Sequence, residues 1–183
     1  TSLGDHRFDG QLDQIGEAAR EKKVDWMRGF IERLDQVDVT SLSRRNQVDY
    51  LLLKHALQSE LWQLTELREW QWNPLIYTEL SGDAIYGLMA RDFAPTSERL
   101  HNVAKRLEQI PRFLEQVRGI LDVERVPRVH AETAVAQNRG VIKTIDNMVR
   151  PLVGQLSPAE QERLRRAIST AERAIGEHQQ WLE

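Results

Sequence analysis

The sequence predicts an all-α protein, and two observations support this. Apolar residues recur every three or four positions over stretches that fill most of the chain, and nowhere do apolar and polar residues alternate over the length of a strand. With 183 residues, the chain can bury a core without disulfides or structural metals. We therefore predict a single helical domain over residues 1–183, a bundle of about six to seven mostly antiparallel helices.

The first two helices follow an irregular arm. Residues 1–15 place Gly and Asp at turn spacing without a sustained period, which indicates a loop. A first helix is predicted over about residues 17–37, and one long helix over about residues 42–69. The long helix carries a second apolar stripe, which makes its face wide enough to contact two neighbours. This stripe consists of Val48, Leu52, His55 and Trp62, and we expect His55 to be a hydrogen-bonded core residue.

The central stretch, residues 70–100, breaks the helical rhythm and concentrates aromatic residues. Asn73 followed by Pro74 predicts a helix start, because Asn can cap a free backbone N–H and Pro has none to leave unpaired. Gly82, between Ser and Asp, interrupts the apolar face of this helix. We therefore expect a bend or a close backbone approach at Gly82. Pro95 ends the segment.

The next helix, predicted over about residues 96–122, is expected to be kinked by proline. Its apolar residues alternate spacings of three and four like a coiled-coil seam, which favours near-antiparallel packing against a neighbour. Pro111 removes one backbone hydrogen bond, so we predict a kink or a fresh helix start there with the apolar phase preserved. The seam residues are Leu100, Val103, Leu107, Ile110, Leu114, Val117 and Leu121.

Two more helices complete the bundle. One runs from about Ala134 to near Pro151, and Asn138 inside its apolar stripe indicates either a buried hydrogen-bond network or a solvent-lined groove. The other begins at the capping box Ser157–Glu160. Its pattern still runs at Glu183 without a stop signal, so we expect the natural chain to continue.

Composition excludes several classes of function. The formal charge of −3 and a pI near 6.0 give no basic stripe for phosphates, so no nucleic-acid partner is predicted. The absence of cysteine excludes disulfides and thiolate metal sites. The longest apolar run is far shorter than a bilayer span needs, so no membrane span is predicted. The sequence does not distinguish a location in the cell envelope from one in the cytoplasm.

The chain shows no motif of reaction chemistry. A zinc-hydrolase helix places two histidines four residues apart so that both reach one ion, and none of the five histidines here has such a partner. His130 and Glu132 would point to different sides of a helix. We therefore predict no catalytic residue and no metal ligand in this chain.

Five motifs, in this order, resemble the N-terminal half of the bacterial domain-of-unknown-function 885 family. No single motif is specific, but together they cover nearly the whole chain. They are Leu-Gly-Asp-His-Arg at 3–7, Trp-Asn-Pro-Leu-Ile-Tyr at 72–77, the segment 87–95 ending in Arg-Asp-Phe-Ala-Pro with Arg99-Leu100, Arg-Leu-Glu-Gln-Ile-Pro at 106–111, and Pro-Arg-Val-His-Ala-Glu-Thr-Ala at 127–134.

This resemblance implies a fragment of a longer bacterial protein. Members of the family are much longer and resemble zinc-dependent peptidases of the gluzincin kind, with the metal motif in the C-terminal half. The chain would then be a non-catalytic wall of a substrate channel, its partner would be its own C-terminal catalytic half, and zinc would be held there. By the same resemblance, His6, Arg7, Tyr77 and Arg91 are candidates for lining the groove.

An alternative function stays open. The seam of residues 100–121 and the wide face of the long helix would also suit an autonomous helical module for protein interaction or dimerisation, without enzymatic activity. Association as a homodimer through an exposed apolar face is typical of this second reading.

Overall fold

The computed structural model describes residues 5–183 and confirms the all-α prediction. Residues 1–4, where the predicted arm and the first motif begin, lie outside the described residues. By backbone contacts the chain divides into two compact units, residues 15–71 and residues 1–14 with 72–183. Six α-helices and no strand form within residues 5–183: α1 (Glu17–Asp35), α2 (Arg44–Trp62), α3 (Leu75–Met89), α4 (Thr96–Ile120), α5 (Arg128–Thr144) and α6 (Pro158–Leu182).

The unit of residues 15–71 is an antiparallel helical hairpin. An ion pair joins Lys23 of α1 to Glu60 near the end of α2, and a second joins Asp35 at the end of α1 to Lys54. The two helices therefore run in opposite directions. Met27 is the buried apolar residue of α1 and Leu57 that of α2, each on the periodic face that the sequence predicts.

The predicted long helix is shorter than expected. Its α-helical part ends at Trp62 and continues as a wider π turn over Gln63–Leu67. Arg68 then adopts a left-handed conformation with φ of 52°, which ends the helix. Trp70 stabilises this ending, because its indole N–H donates to the carbonyl of Leu64 at 3.0 Å and the Arg20 guanidinium lies 3.9 Å from its ring centre.

The second apolar stripe of α2 is exposed. Leu52 is 63% exposed and Trp62 is 54% exposed. His55 is exposed as well, so the expectation of a core histidine was wrong. The periodicity was correct, but no described element covers this side of the helix. We call this surface the α2 outer face; it consists of Val48, Leu51, Leu52, His55 and Trp62.

The second unit packs α3, α4, α5 and α6 together, with the predicted seam at its centre. Tyr77 near the start of α3 meets Phe113 late in α4, whereas Arg99 early in α4 reaches the carbonyl of Met89 at the end of α3, so these two helices are antiparallel. Arg163 bonds to Glu108, and early α6 therefore lies beside the middle of α4. The charge of Arg118, late in α4, acts on His178, late in α6, so the ends of these two helices also lie near each other. α4 and α6 therefore run in the same direction.

The packing of α4 corrects part of the topology prediction. Antiparallel packing was expected for the seam, and it holds for α3, but α6 runs parallel to α4. The seam residues from Leu100 to Val117 are 0–2% exposed. One apolar stripe can pack against both an antiparallel and a parallel helix, because the hydrophobic effect does not depend on the direction of the chains.

Neither predicted interruption breaks its helix. α3 continues through Gly82, where an added Cβ would meet only Val141 Cγ2 at 3.9 Å, an ordinary contact. α4 continues through Pro111 with the apolar phase preserved, as predicted, and without a fresh start. Proline costs about 3 kcal/mol in a helix interior, but the flanking Ile110 and Leu114 are fully buried and hold both halves in place.

The last two helices form where the sequence predicts helices, but α5 begins at Arg128 and not near Ala134, because the carbonyl of Pro127 already accepts from the N–H of Ala131 at 3.2 Å. α5 ends at Thr144, and a π turn and a 3₁₀ segment carry the chain on to Gln155. Asn138 is 2% exposed, and its Nδ2 finds no hydrogen-bond partner among the described residues. Its neighbours Gln137 and Gly140 instead line a groove of about 540 Å³ between α3 and α5. The capping box is confirmed, because the Glu160 carboxylate accepts from the backbone N–H of Ser157 at 3.1 Å.

Candidate functional site

A cleft of the second unit lies between the arm, α3 and α4. Its volume is about 1020 Å³, which is large enough for a small ligand or a few residues of a peptide. The lining mixes apolar and charged side chains. It includes Asp5, His6, Phe8 and Asp13 from the arm, Asp83, Tyr86, Arg91 and Phe93 from α3 and the loop that follows, and Arg106, Ile110 and Phe113 from α4.

The arm is attached to α4 by one glutamine. The side-chain amide of Gln109 donates to the carbonyl of Gly10 at 2.9 Å, and its oxygen accepts from the backbone N–H of Leu12 at 3.2 Å. Gly10 lies so close to α4 that an added Cβ would be 2.7 Å from Lys105 Cδ. A side chain at residue 10 would therefore require the flexible Lys105 side chain to shift.

His6 connects the arm to the opposite wall. Its Nδ1 lies 2.9 Å from Oδ2 of Asp9, and its ring stacks on Phe93 with centroids 4.3 Å apart and planes 15° apart. Asp9 is only 2% exposed, so this pair is anchored on the buried side of the arm. The first and third motifs thus meet in the cleft.

Arg99 fixes the loop that presents Phe93. It is 5% exposed, and its guanidinium holds main-chain carbonyls along the turn from α3 to α4. The Nη2 atom also pairs with Asp92 at 2.7 Å. This buried arginine supplies the donors that a tight non-helical turn cannot supply itself. The carbonyls accepting from Arg99 are those of Met89 at 3.4 Å, Arg91 at 3.1 Å and Ala94 at 3.0 Å.

Two of the four predicted groove residues line the cleft, and two do not. His6 and Arg91 line it. Arg7 is exposed and forms a two-pronged pair with Asp5, which lowers the pKa of that carboxyl. Tyr77 is 2% exposed and packs edge-on against Phe113, with ring centroids 6.3 Å apart. A groove role therefore stays a prediction for His6 and Arg91.

The most distinctive side chain of the cleft was not among the candidates. Arg106 is 8% exposed, its Nη1 donates to the carbonyl of Ala84 at 2.9 Å, and its Nε has no partner among the described residues. Burial lowers the pKa of Arg106, and the nearby carboxylates of Asp9 and Asp13 partly oppose this. An arginine nevertheless stays protonated at neutral pH, so the cleft contains a buried cation.

A sequence signal for Arg106 did exist. Arg99 and Arg106 lie seven residues apart and follow the same face of α4 as the seam residue Val103. A charged residue on a face that must be buried needs a specific partner. For Arg99 the partners are the loop carbonyls. For Arg106, only one donor has a partner within residues 5–183.

The second and fifth motifs meet away from this cleft. Trp72 stacks on His130 at the start of α5, with centroids 5.7 Å apart. This contact joins the segment before α3 to the start of α5, and neither residue lines the cleft.

The described residues were also searched for a metal site and for a membrane-spanning helix. Within residues 5–183 no three His, Asp or Glu side chains come together in an arrangement that could hold a metal ion. No helix in that range has the length and apolar character needed to cross a membrane. The site is therefore a cleft of aromatic rings and charged groups in an all-helical protein.

The sequence model of the family described as "Bacterial protein of unknown function (DUF885)" matches residues 1–183, and the chain belongs to this family. A solved structure from Shewanella oneidensis, described as a "putative lipoprotein of unknown function", superimposes with a TM-score of 0.89 at 31% sequence identity. The alignment covers 99% of this chain and 33% of that one, so the chain spans about a third of its relative's length. No curated protein matches the chain.

Proposed function

We propose that this chain is a non-catalytic helical portion of a zinc-dependent peptidase-like protein, and that its cleft forms a wall of the substrate channel. The observation that carries the proposal is the cleft of about 1020 Å³, to which three of the five family motifs contribute. A relative three times as long leaves room for a separate catalytic part. Zinc and the groups that act on the substrate would belong to that part.

The lining offers groups that a peptide can use. Aromatic side chains such as Phe93 and Phe113 can take apolar substrate side chains, and charged groups such as Arg91 and Asp83 can orient polar ones. Tyr86 is 56% exposed at the rim, so it can contact a ligand without rearrangement.

The proposal is tested by comparing this chain with a longer family protein that contains it. The chain alone should show no peptidase activity on a mixed peptide library and no stoichiometric zinc by mass spectrometry. The longer protein should contain zinc and cleave peptides. Tight zinc binding by the 183-residue chain, or a longer protein with neither zinc nor activity, would overturn the proposal.

The wall itself is tested in the longer protein. Replacing His6 or Arg91 by Ala should raise KM by about fivefold with little change in kcat. Groups in the channel wall would bind the substrate equally in its ground state and its transition state, and losing such contacts raises KM alone. Arg112→Ala is the matched control, since Arg112 is exposed on α4 and does not line the cleft. Equal kinetics for all three variants would contradict a substrate wall here.

A second candidate function is an interaction or dimerisation module, and the α2 outer face favours it. Leu51 and Leu52 are 59% and 63% exposed, an unusual pair for a helix of a monomer. If this face mediates dimerisation, the chain should dimerise in sedimentation velocity and Leu52→Glu should abolish it. Asn46→Glu, exposed on another side of α2, is the control. A monomer at all concentrations would exclude homodimerisation through this face.

A further inference from the structure

Among the described residues, Arg106 is the buried cation of the cleft whose guanidinium has incomplete hydrogen bonds. Its Nη1 bonds to the carbonyl of Ala84, but Nε is unpaired and no described carboxylate oxygen lies within 4.0 Å of the group. Arg99, on the same helix, has all its nitrogens engaged. Burying a charge without a partner costs free energy, so an acceptor group of a bound ligand would stabilise this guanidinium.

The neighbouring carboxylates do not fill this role. Asp9 bonds to His6 through Oδ2, while its buried Oδ1 has no hydrogen-bond partner among the described residues. Asp9 and Asp13 both act on Arg106 through charge, and neither forms an ion pair with it. Both residues belong to the arm, whose backbone Gln109 holds in place. The cation is therefore kept in the cleft wall without being neutralised by contact.

We propose that Arg106 binds the carboxylate of a peptide ligand in this cleft. A guanidinium offers paired N–H donors that match the two oxygens of a carboxylate. This inference rests on the proposed function, and it adds the chemical class of substrate group that the wall recognises.

The other charges of the cleft disfavour a ligand with several negative charges. Asp13 and Asp83 also line the cleft, so a phosphate group or a polyanion would meet more repulsion than a single carboxylate. Phe93, which is half-buried and also lines the cleft, provides apolar surface for the side chain next to the carboxylate. A carboxylate beside an aromatic or aliphatic side chain is the group that fits both features.

The test measures the binding of three probes to the 183-residue chain from the changes in its NMR chemical shifts. The probes are acetyl-Phe-Ala with a free carboxylate, the same dipeptide as its amide, and acetyl-Asp-Phe amide, which carries its carboxylate on a side chain. We expect the free acid to bind with a Kd of about 1 mM and the Phe-Ala amide at least about tenfold more weakly. Binding of the Asp probe would identify a side-chain carboxylate as a further source of the group.

Variants tie the binding to Arg106. Arg106→Met should weaken binding of the free acid by about tenfold, and Arg106→Lys, which keeps the charge but loses the paired geometry, by about threefold. Arg112→Met on the exposed side of α4 should leave the Kd unchanged. If Arg106→Met fails to fold, as seen by circular dichroism, Arg106→Lys decides. Acid and amide binding equally, no binding of any probe by the unsubstituted chain, or an unchanged Kd in Arg106→Lys would overturn the inference.

Failure of this inference can be separated from failure of the proposed function. Zinc content and peptide cleavage by a longer family protein test the latter without reference to Arg106. If a longer protein cleaves peptides but this chain binds the free acid no better than the amide, only the role of Arg106 is refuted.

Discussion

His178 makes the stability of this protein depend on pH. The imidazole is 1% exposed in α6, stacks on Trp181 at 5.6 Å, and its Nδ1 has no hydrogen-bond partner among the described residues. Burial lowers the pKa of His178 from 6.5 to about 4, and the positive charge of Arg118 adds to this. The folded protein therefore keeps this histidine neutral well below the pH at which an exposed one would take up a proton.

The size of the effect follows from the two pKa values. Between pH 6.5 and about 4, His178 is protonated in the unfolded chain but neutral in the folded one. The free energy of unfolding therefore falls as the pH falls through this window. At about 1.4 kcal/mol for each unit of pKa, the full difference amounts to about 3 kcal/mol. Above pH 6.5 the contribution is complete, and below about 4 it is lost.

The assay is urea unfolding of the wild-type chain and of His178→Gln from pH 7 down to pH 4. His178→Gln should be less stable at pH 7 but should lose about 3 kcal/mol less on acidification than wild type. The carboxylates titrate equally in both proteins and cancel from the difference. His55→Gln, at an exposed histidine, should follow the wild-type curve. Parallel curves for wild type and His178→Gln, or an NMR titration of His178 near its ordinary pKa in the folded chain, would refute the reasoning.

Three more predictions concern the supports of the cleft. Gln109→Ala should cost about 2 kcal/mol and lower the hydrogen-exchange protection of the Leu12 amide, which loses its acceptor; unchanged protection would show that the arm is held otherwise. Arg99→Ala should cost about 3 kcal/mol in urea unfolding, because several loop carbonyls lose their donor, whereas a cost below about 1 kcal/mol would mean that water replaces it. Trp72→Ala should cost about 2 kcal/mol, less than a full core tryptophan, because Trp72 is half-buried against His130; thermal unfolding measures it, and a neutral effect would place the ring at a free surface.

Helix positions could be predicted from the sequence because the periodicity that specifies them is local. The seam of α4 and the capping box of α6 depend on residues a few positions apart, and both were confirmed. The end of α2 could not be predicted, since it depends on Arg68 in a left-handed conformation and on the packing of Trp70. His55 shows the same limit, because an apolar stripe does not tell whether another element covers it.

The cleft was predictable only in part. His6 and Arg91 stand in the family motifs and do line it, but their distance from Arg106 along the chain gives no sign that the three share a cleft. Two arginines on the buried face of α4 were the available signal. The pattern could not tell which of them would bind the loop and which would keep free donors, because that depends on where the turn after α3 brings its carbonyls.

Three residues that carry the family resemblance bond to main-chain atoms. Gln109 bonds to the backbone of the arm, Arg99 to the carbonyls of a loop, and Asn73 accepts from the N–H of Leu75 at the start of α3. Such contacts depend on one side chain reaching one backbone atom, so substitutions there change the shape of the cleft before they change its chemistry. Arg106 differs, because part of its hydrogen-bonding capacity is unused by the fold. A motif residue whose donors the fold does not use is therefore the better place to look for ligand recognition than one whose bonds are complete.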